Sequence, residues 1–263
     1  SCAAQNEFYV MMRQGGFSMS RNCGLVMGAL WLTACYAYPP KAANLLPLGH
    51  QTECLILVAL VFGVMLRVLF DSRIKRPVEH TAMTLLGFFY LPFMLSFFIR
   101  LAQWDSDACF EIHCARVGVF LASYIALVVK LGDVGAFAVG MAVGRHKMFP
   151  RISPKKSWEG LAGGLAASAL SSMAMVWAAG RYGVGGPLAT LSAAHGAALG
   201  LVLGAVGVLG DLVESMFKRA VNIKDSAGLL PGMGGILDMF DSLTFAPAAL
   251  YFYLAWFVGY SAS

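Results

Sequence analysis

The sequence predicts an all-α, polytopic integral membrane protein, and three observations lead there. Apolar residues make up 59% of the 263-residue chain and charged residues only 13%, about half the charge of an average soluble domain. The mean hydropathy is +0.70, and 19 Lys and Arg with 14 Asp and Glu cannot clothe a soluble globule of this size. The apolar residues also come in long runs rather than in alternation, which argues against a membrane β-barrel. A cytosolic enzyme, a disordered chain and a nucleic-acid-binding domain are excluded as first readings.

Taken in order, the apolar runs are Cys23–Tyr38, Leu55–Phe70, Thr81–Ile99, Val117–Gly144, Leu161–Ala179, Pro187–Gly210 and Leu243–Tyr260. A bilayer core needs about 20 apolar residues per helix, so most of these read as single passes, the first two being short. Val117–Gly144 is long for one untilted helix and contains Lys130 and Asp133, so a break or a pair of short helices is expected there. The total expected is about seven to nine transmembrane helices. Residues 1–22 are expected to be an N-terminal segment, trimmed or interfacial, and 23–263 a single transmembrane domain, for no internal repeat or linker divides them. No signal-peptide pattern stands out, so the first apolar helix is expected to drive integration.

Charge sorts the connecting loops. Basic residues gather at Arg73, Lys75 and Arg76, from Arg145 to Lys156, and at Lys218, Arg219 and Lys224. The positive-inside rule puts such loops in the cytoplasm. The stretch Arg100–Arg116 mixes signs and reads as the opposite side. Six cysteines lie in the first half without paired CxxC spacing, so a metal or disulfide site at Cys109 and Cys114 is disfavoured against ordinary thiols.

Charged groups in a lipid-embedded chain are costly and usually functional. Five of the 14 acids fall between Asp211 and Asp241. Asp211, Ser215 and Lys218 share one helix face, at i, i+4 and i+7; Asp238 and Asp241 share another. Hard divalent cations prefer carboxylates and phosphates, so acids beside Lys and Arg suit a metal–phosphate site, and Gly232–Gly235 would allow close backbone approach. The bland alternative is a solvated loop with an amphipathic helix. A second polar cluster holds Arg151, Ser153, Lys155, Lys156 and Glu159, with Ser153-Pro154 read as a helix N-cap and first turn; a topogenic basic loop is its alternative. Lys130, one turn before Asp133, could neutralise that acid. His195 reads as a packed or pore-facing histidine, and the Ala162–Gly164 and Gly196–Gly204 glycines as helix-packing positions.

With these residues in view, the chain resembles the phosphatidate cytidylyltransferase, or CDP-diacylglycerol synthase, family. The resembling elements are Asp133-Val-Gly-Ala-Phe137, Ser153-Pro-Lys-Lys-Ser-Trp-Glu159-Gly160, Gly210-Asp211, Ser215-Met-Phe-Lys218-Arg219, Lys224-Asp225 and Gly234-Gly235-Ile-Leu-Asp238-Met-Phe-Asp241. They run in order from about Asp133 to Ser242; the first half matches only as hydrophobic helices. The resemblance implies transfer of CMP from CTP to phosphatidic acid, giving CDP-diacylglycerol and pyrophosphate, in the cytoplasmic membrane with the site facing the cytoplasm. It implies Mg2+, leaves room for a second cation and for a homodimer, and names membrane lipids as surroundings but no nucleic acid partner. Asp211, Asp238 and Asp241 are the expected metal ligands, and with Lys218 and Arg219 the catalytic set. Asp133, Ser153, Lys155, Lys156, Glu159, Ser215, Lys224, Asp225, Gly234 and Gly235 are the expected substrate-binding residues. The family's usual His is Met233, its Arg between the two aspartates is Met239, a further Arg is Met141 and the usual Tyr is Phe137. The alternatives are an inactive or altered-substrate relative and a transporter or channel, which would spread its acids through the bilayer.

Overall fold

A computed structural model of the chain describes residues 1–37, 48–104, 113–223 and 235–259. Its helices are α1 (Cys2–Gln14), α2 (Arg21–Ala37), α3 (Leu48–Phe70), α4 (Pro77–Phe88), α5 (Met94–Ala102), α6 (His113–Val143), α7 (Trp158–Tyr182), α8 (Ala193–Ala220), α9 (Ile236–Phe240) and α10 (Ala246–Leu254). One antiparallel pair, β1 (Lys147–Phe149) and β2 (Ser153–Ser157), links α6 to α7. This is an all-α membrane protein. Five helical stretches are long and apolar enough to cross a bilayer among the described residues: Gln51–Phe70, Pro77–Ala102, Val117–Val143, Trp158–Tyr182 and Ala193–Ala220. The apolar stretch Ala246–Val258 is shorter, as is the 17-residue α2. Tyr38 and Tyr260, ends of two expected runs, lie outside the described residues.

Two local expectations are corrected. Val117–Gly144 is not broken at Lys130 and Asp133; α6 runs unbroken for 31 residues, because the two charges are one turn apart and meet each other. Ser153-Pro154 does not start a helix either. Ser153–Ser157 is strand β2, and the cap is Ser157, whose Oγ accepts from the Gly160 N–H at 3.2 Å. Pro154 forbids nothing in a short edge strand, whereas Ser157 satisfies an otherwise orphaned amide of the first turn. Helix α7 then ends on Gly183, whose φ of 64° is the left-handed conformation that glycine adopts without strain.

The chain divides into two compact units, Ser1–Arg100 with Met216–Phe240, and Leu101–Ser215 with Asp241–Ser263. In the first, the core gathers Trp31 and Cys35 of α2, Leu60 and Val64 of α3 and Phe88 of α4. Beside it, the Phe8, Tyr90 and Phe217 rings pack edge to face or tilted. The Pro77–Ala102 run passes through a π-helical turn at Phe89–Phe93 that holds Pro92, a residue with no N–H to give to a regular α ladder. Helix α3 leaves Leu55, Val58, Phe62, Met65 and Leu69 exposed, an apolar stripe that suits lipid.

The second unit is organised by glycine. A Cβ on Gly164 would lie 2.9 Å from Ala136 Cβ and 3.0 Å from the Gly132 carbonyl, so α6 and α7 approach almost backbone to backbone. Gly200 and Gly204 of α8 pack against Ser168, Ala169 and Ser172 of α7. In lipid, such close contact replaces the hydrophobic drive that helices lack there. Ser168 Oγ donates to the Val128 carbonyl at 3.2 Å, and Ser172 Oγ to that of Gly196 at 2.5 Å. Overpacking a tight interface costs about 1–3 kcal/mol. Gly164→Val is therefore expected to lower stability by about that amount in detergent, read as thermal unfolding, while Leu69→Val on the exposed stripe leaves the midpoint unchanged.

Candidate functional site

In the second unit, polar side chains from α6, β2, α8 and the turn after α9 come together. Gly210 makes this possible: a Cβ there would collide with the Asp241 carbonyl oxygen, and one on Gly207 would sit 3.5 Å from that of Ser242. The backbone of 241–242 can thus lie directly on α8, one residue from Asp211. Lys156 Nζ reaches from β2 to the same place, 2.8 Å from Asp211 Oδ2 and 3.2 Å from the Val208 carbonyl. Ser215 Oγ donates to the other Asp211 oxygen at 3.4 Å. From α6, Lys130 Nζ donates to Ser242 Oγ at 2.8 Å, and Ser242 Oγ donates to Asp133 Oδ2 at 3.1 Å. Lys130 also lies 3.4 Å from Asp133, which makes it the neutralising partner.

Asp241 is the electrostatic centre of this group. Burial pushes its carboxyl pKa upward, and the nearby Asp211 carboxylate pushes in the same direction. The Ser242 amide, Lys130 and a hydrogen bond with Glu214 oppose them in part. Glu214 is 1% exposed. Four carboxyl groups, Asp133, Asp211, Glu214 and Asp241, therefore face two ammonium groups, Lys130 and Lys156. The donor set is hard oxygen with surplus negative charge, which fits a divalent cation that takes one or two carboxylates and completes its shell from phosphate and water. Among the described residues no group of three or more His, Cys, Asp and Glu side chains converges to cage a metal by itself.

The first unit carries a second arrangement around Asp238. Lys218 Nζ lies 2.5 Å from Asp238 Oδ1. Asp238 Oδ2 accepts from the Gly235 N–H at 3.0 Å, so the third residue of α9 reaches back to its own N-cap, half of a capping box. Gly235 has no side chain to complete that box. Glu7 of α1 supplies the missing acceptor: its Oε2 takes the Leu237 N–H at 2.8 Å across 230 residues of chain. Glu7 is 2% exposed, and α9 is only five residues long. The orientation of Asp238 thus depends on α1.

The remaining expected residues distribute unevenly. Lys155 and Ser153 fall on the face of β2 opposite Lys156, as strand alternation requires, and Lys155 is exposed. Glu159 turns to its own hairpin, where His146 Nδ1 lies 2.6 Å from Oε1 and the Arg145 and His146 amides donate to the carboxylate. It braces the link between α6 and β1 against the start of α7. Asp238's carboxylate is engaged by Lys218. Arg219 is exposed at the end of α8. Gly235 precedes α9 as its cap; Lys224, Asp225, Met233 and Gly234 lie outside the described residues, as does Cys109. His195 is packed, 2.9 Å from Tyr253 Oη and against the Phe257 ring. Sequence reasoning missed Glu7, Glu214, Lys130's bond to Ser242, and Ser242 itself. An acid within an otherwise apolar helical stretch was the available signal for Glu214; Glu7, which follows Gln5 and Asn6, carried none.

A model of the cytidylyltransferase family matches residues 2–257 of the chain. The phosphatidate cytidylyltransferase of Haemophilus influenzae is 42% identical over 142 residues, 54% of this chain and 48% of that protein. That of Pseudomonas aeruginosa is 47% identical over 164 residues, 62% and 57% of the two chains. That of Bacillus subtilis is 32% identical over 200 residues, 75% and 67%. The chain spans about half the length of the first two relatives.

A buried amide left without its acceptor costs about 1–3 kcal/mol. Glu7→Ala is expected to raise hydrogen exchange selectively in a peptide covering 235–240, and Glu7→Gln, which keeps an acceptor oxygen, to restore most of the protection. Equal exchange in all three proteins would remove Glu7 as the cap of α9.

Proposed function

The chain belongs to the cytidylyltransferase family, and from that premise we propose that it transfers CMP from CTP to phosphatidic acid, forming CDP-diacylglycerol and pyrophosphate. The observation that carries this reading is the surplus of carboxyl over ammonium groups around Asp211 and Asp241, held by elements that bear the family motifs. An oxygen of the lipid phosphate attacks the α-phosphorus of CTP. A new P–O bond forms, the bond to the oxygen bridging the α- and β-phosphates breaks, and pyrophosphate leaves with that electron pair. A phosphomonoester is already ionised near neutral pH, so the step needs positioning and charge neutralisation more than a strong base. The loss of the usual His at Met233 is then tolerable.

Asp211 and Asp241 hold the cation in this reading, which we take to be Mg2+, with a second cation left open. Bound there, it would neutralise charge on the triphosphate and on the leaving pyrophosphate. Lys156 orients Asp211. Lys218 and Arg219 are assigned to phosphate by their motif, the guanidinium with two parallel donors; Asp238, which engages Lys218, is assigned by its motif as a further carboxylate. Lys224 and Asp225 are assigned to the phosphates by their motif, as are Gly234 and Gly235, whose backbone can approach closely; Ser153, Lys155 and Ser215 are assigned to the headgroup or nucleotide. Asp133, tied to Lys130 and Ser242, supports the floor of the site, and Glu159 supports it through the hairpin. The reaction is assigned to the cytoplasmic face of the inner membrane, where CTP is available; a homodimer is compatible with it.

Purified protein in detergent, given labelled CTP, phosphatidic acid and Mg2+, is expected to yield CDP-lipid. No product under conditions where a bacterial relative is active would overturn the assignment. Asp211→Asn and Asp241→Asn are each expected to lower turnover by about 100-fold or more, the scale of losing one preorganised charge contact, with the unfolding midpoint retained. A second measurement concerns the methionines at family polar positions. Met239 is 43% exposed and Met141 72% exposed, so neither fills a core. Met239→Arg together with Met233→His is expected to raise turnover with phosphatidic acid several-fold; a drop would favour a lipid phosphate acceptor of a different kind.

A further inference from the structure

A cavity of about 900 Å3 opens in the first unit, lined by the end of α1, the turn after it, the start of α2, the end of α3 and the 71–76 connection. Six of its side chains are cationic: Arg13, Arg21, Arg67, Arg73, Lys75 and Arg76. Its carboxylate is Glu79, which Arg76 already engages at 3.2 Å. Arg21 Nε donates to Asn6. Asp71 accepts from the backbone N–H of Arg73, not from its guanidinium. The side chains of Arg13, Arg67, Arg73 and Lys75 make no hydrogen bond or ion pair among the described residues. The wall is also built. His80, 5% exposed, is fixed by Ser20 Oγ at 2.8 Å and Ser18 Oγ at 3.3 Å, and the Ser20 amide donates to Thr84.

A topogenic loop accounts for Arg73, Lys75 and Arg76. It does not account for Arg13, Arg21 and Arg67, which come from three other elements to the same cavity. Like charges gathered this way repel unless an anion sits among them, and arginine forks match the tetrahedral oxygens of phosphate. The location narrows the source. One candidate span ends at Phe70 and the next begins at Pro77, so the 71–76 connection lies at a membrane boundary. Phe70 and Val78 flank it at 81% and 83% exposure, apolar surface suited to acyl chains. We infer that this cavity, lined by none of the 133–242 motif residues, is a phosphate-binding site that takes the headgroup of an anionic phospholipid at the membrane boundary. Free phosphate shares the chemistry and is the alternative source.

The test uses the full chain in neutral maltoside detergent, with lipid retention read by native mass spectrometry. Phosphatidylglycerol and phosphatidylcholine are the probes, neither being the proposed acceptor, so the outcome is independent of CMP transfer. Phosphatidylglycerol is expected to bind about tenfold more tightly than phosphatidylcholine. An Arg13→Gln, Arg73→Gln, Lys75→Gln variant, whose altered side chains hold nothing in the protein, is expected to lose that preference at an unchanged unfolding midpoint. Arg13→Lys with Arg73→Lys should keep most of it. Retention that resists millimolar inorganic phosphate supports the lipid source. Displacement by phosphate in the wild type, with weaker phosphate binding in the Gln variant, supports the same site with free phosphate as its ligand. Equal affinity for phosphatidylglycerol in the wild type and the Gln variant would overturn the proposal.

Discussion

Burial and the nearby Asp211 carboxylate both push the Asp241 carboxyl pKa upward, and the second unit is arranged around that constraint. Two carboxyl groups are kept in such surroundings only with cations or protons to offset them. Lys156 arrives on a short strand whose partner strand and brace, His146 and Glu159, hold its position. Lys130 arrives from the middle of an unbroken helix with Ser242 as an intermediary. Gly210 gives the backbone after α9 room to lie against α8. Each of these parts is ordinary; together they hold more negative than positive charge, which is the condition a divalent cation and a triphosphate would satisfy.

The first unit shows the same economy in another form. A five-residue helix starting after a glycine has no side chain of its own to cap Leu237, and an acid from the N-terminal helix does it. The Asp238–Lys218 pair then sits on a helix whose first turn is secured from two directions. Long-range capping of this kind ties a short motif helix to the fold: α9 could not keep its orientation by propensity alone, since isolated helices of this length are unstable in water.

Glycine and serine do for the helices what apolar burial does in water. Gly132, Gly164, Gly200 and Gly204 bring α6, α7 and α8 into near-backbone contact, and Ser168 and Ser172 bond across those contacts. Leu121, Tyr124, Ile125 and Val128 of α6 and Leu199 and Leu203 of α8 are buried beside these contacts.

The sequence by itself determined the membrane class, most of the apolar helices, the basic loops and the family motifs, because composition and run length are local quantities set by the bilayer thickness. It also paired Lys130 with Asp133 correctly, since residues three apart on a helix are neighbours. It could not determine which acids meet. Asp211 and Asp241 are 30 positions apart and come together because Gly210 allows a close backbone approach; the Asp238–Lys218 pair is likewise a contact between distant positions. Nor could periodicity reveal that Glu7 caps Leu237 or that Arg13, Arg21 and Arg67 join the 71–76 loop around one cavity. Those are contacts between distant segments, decided by helix packing, and only the tertiary structure contains them.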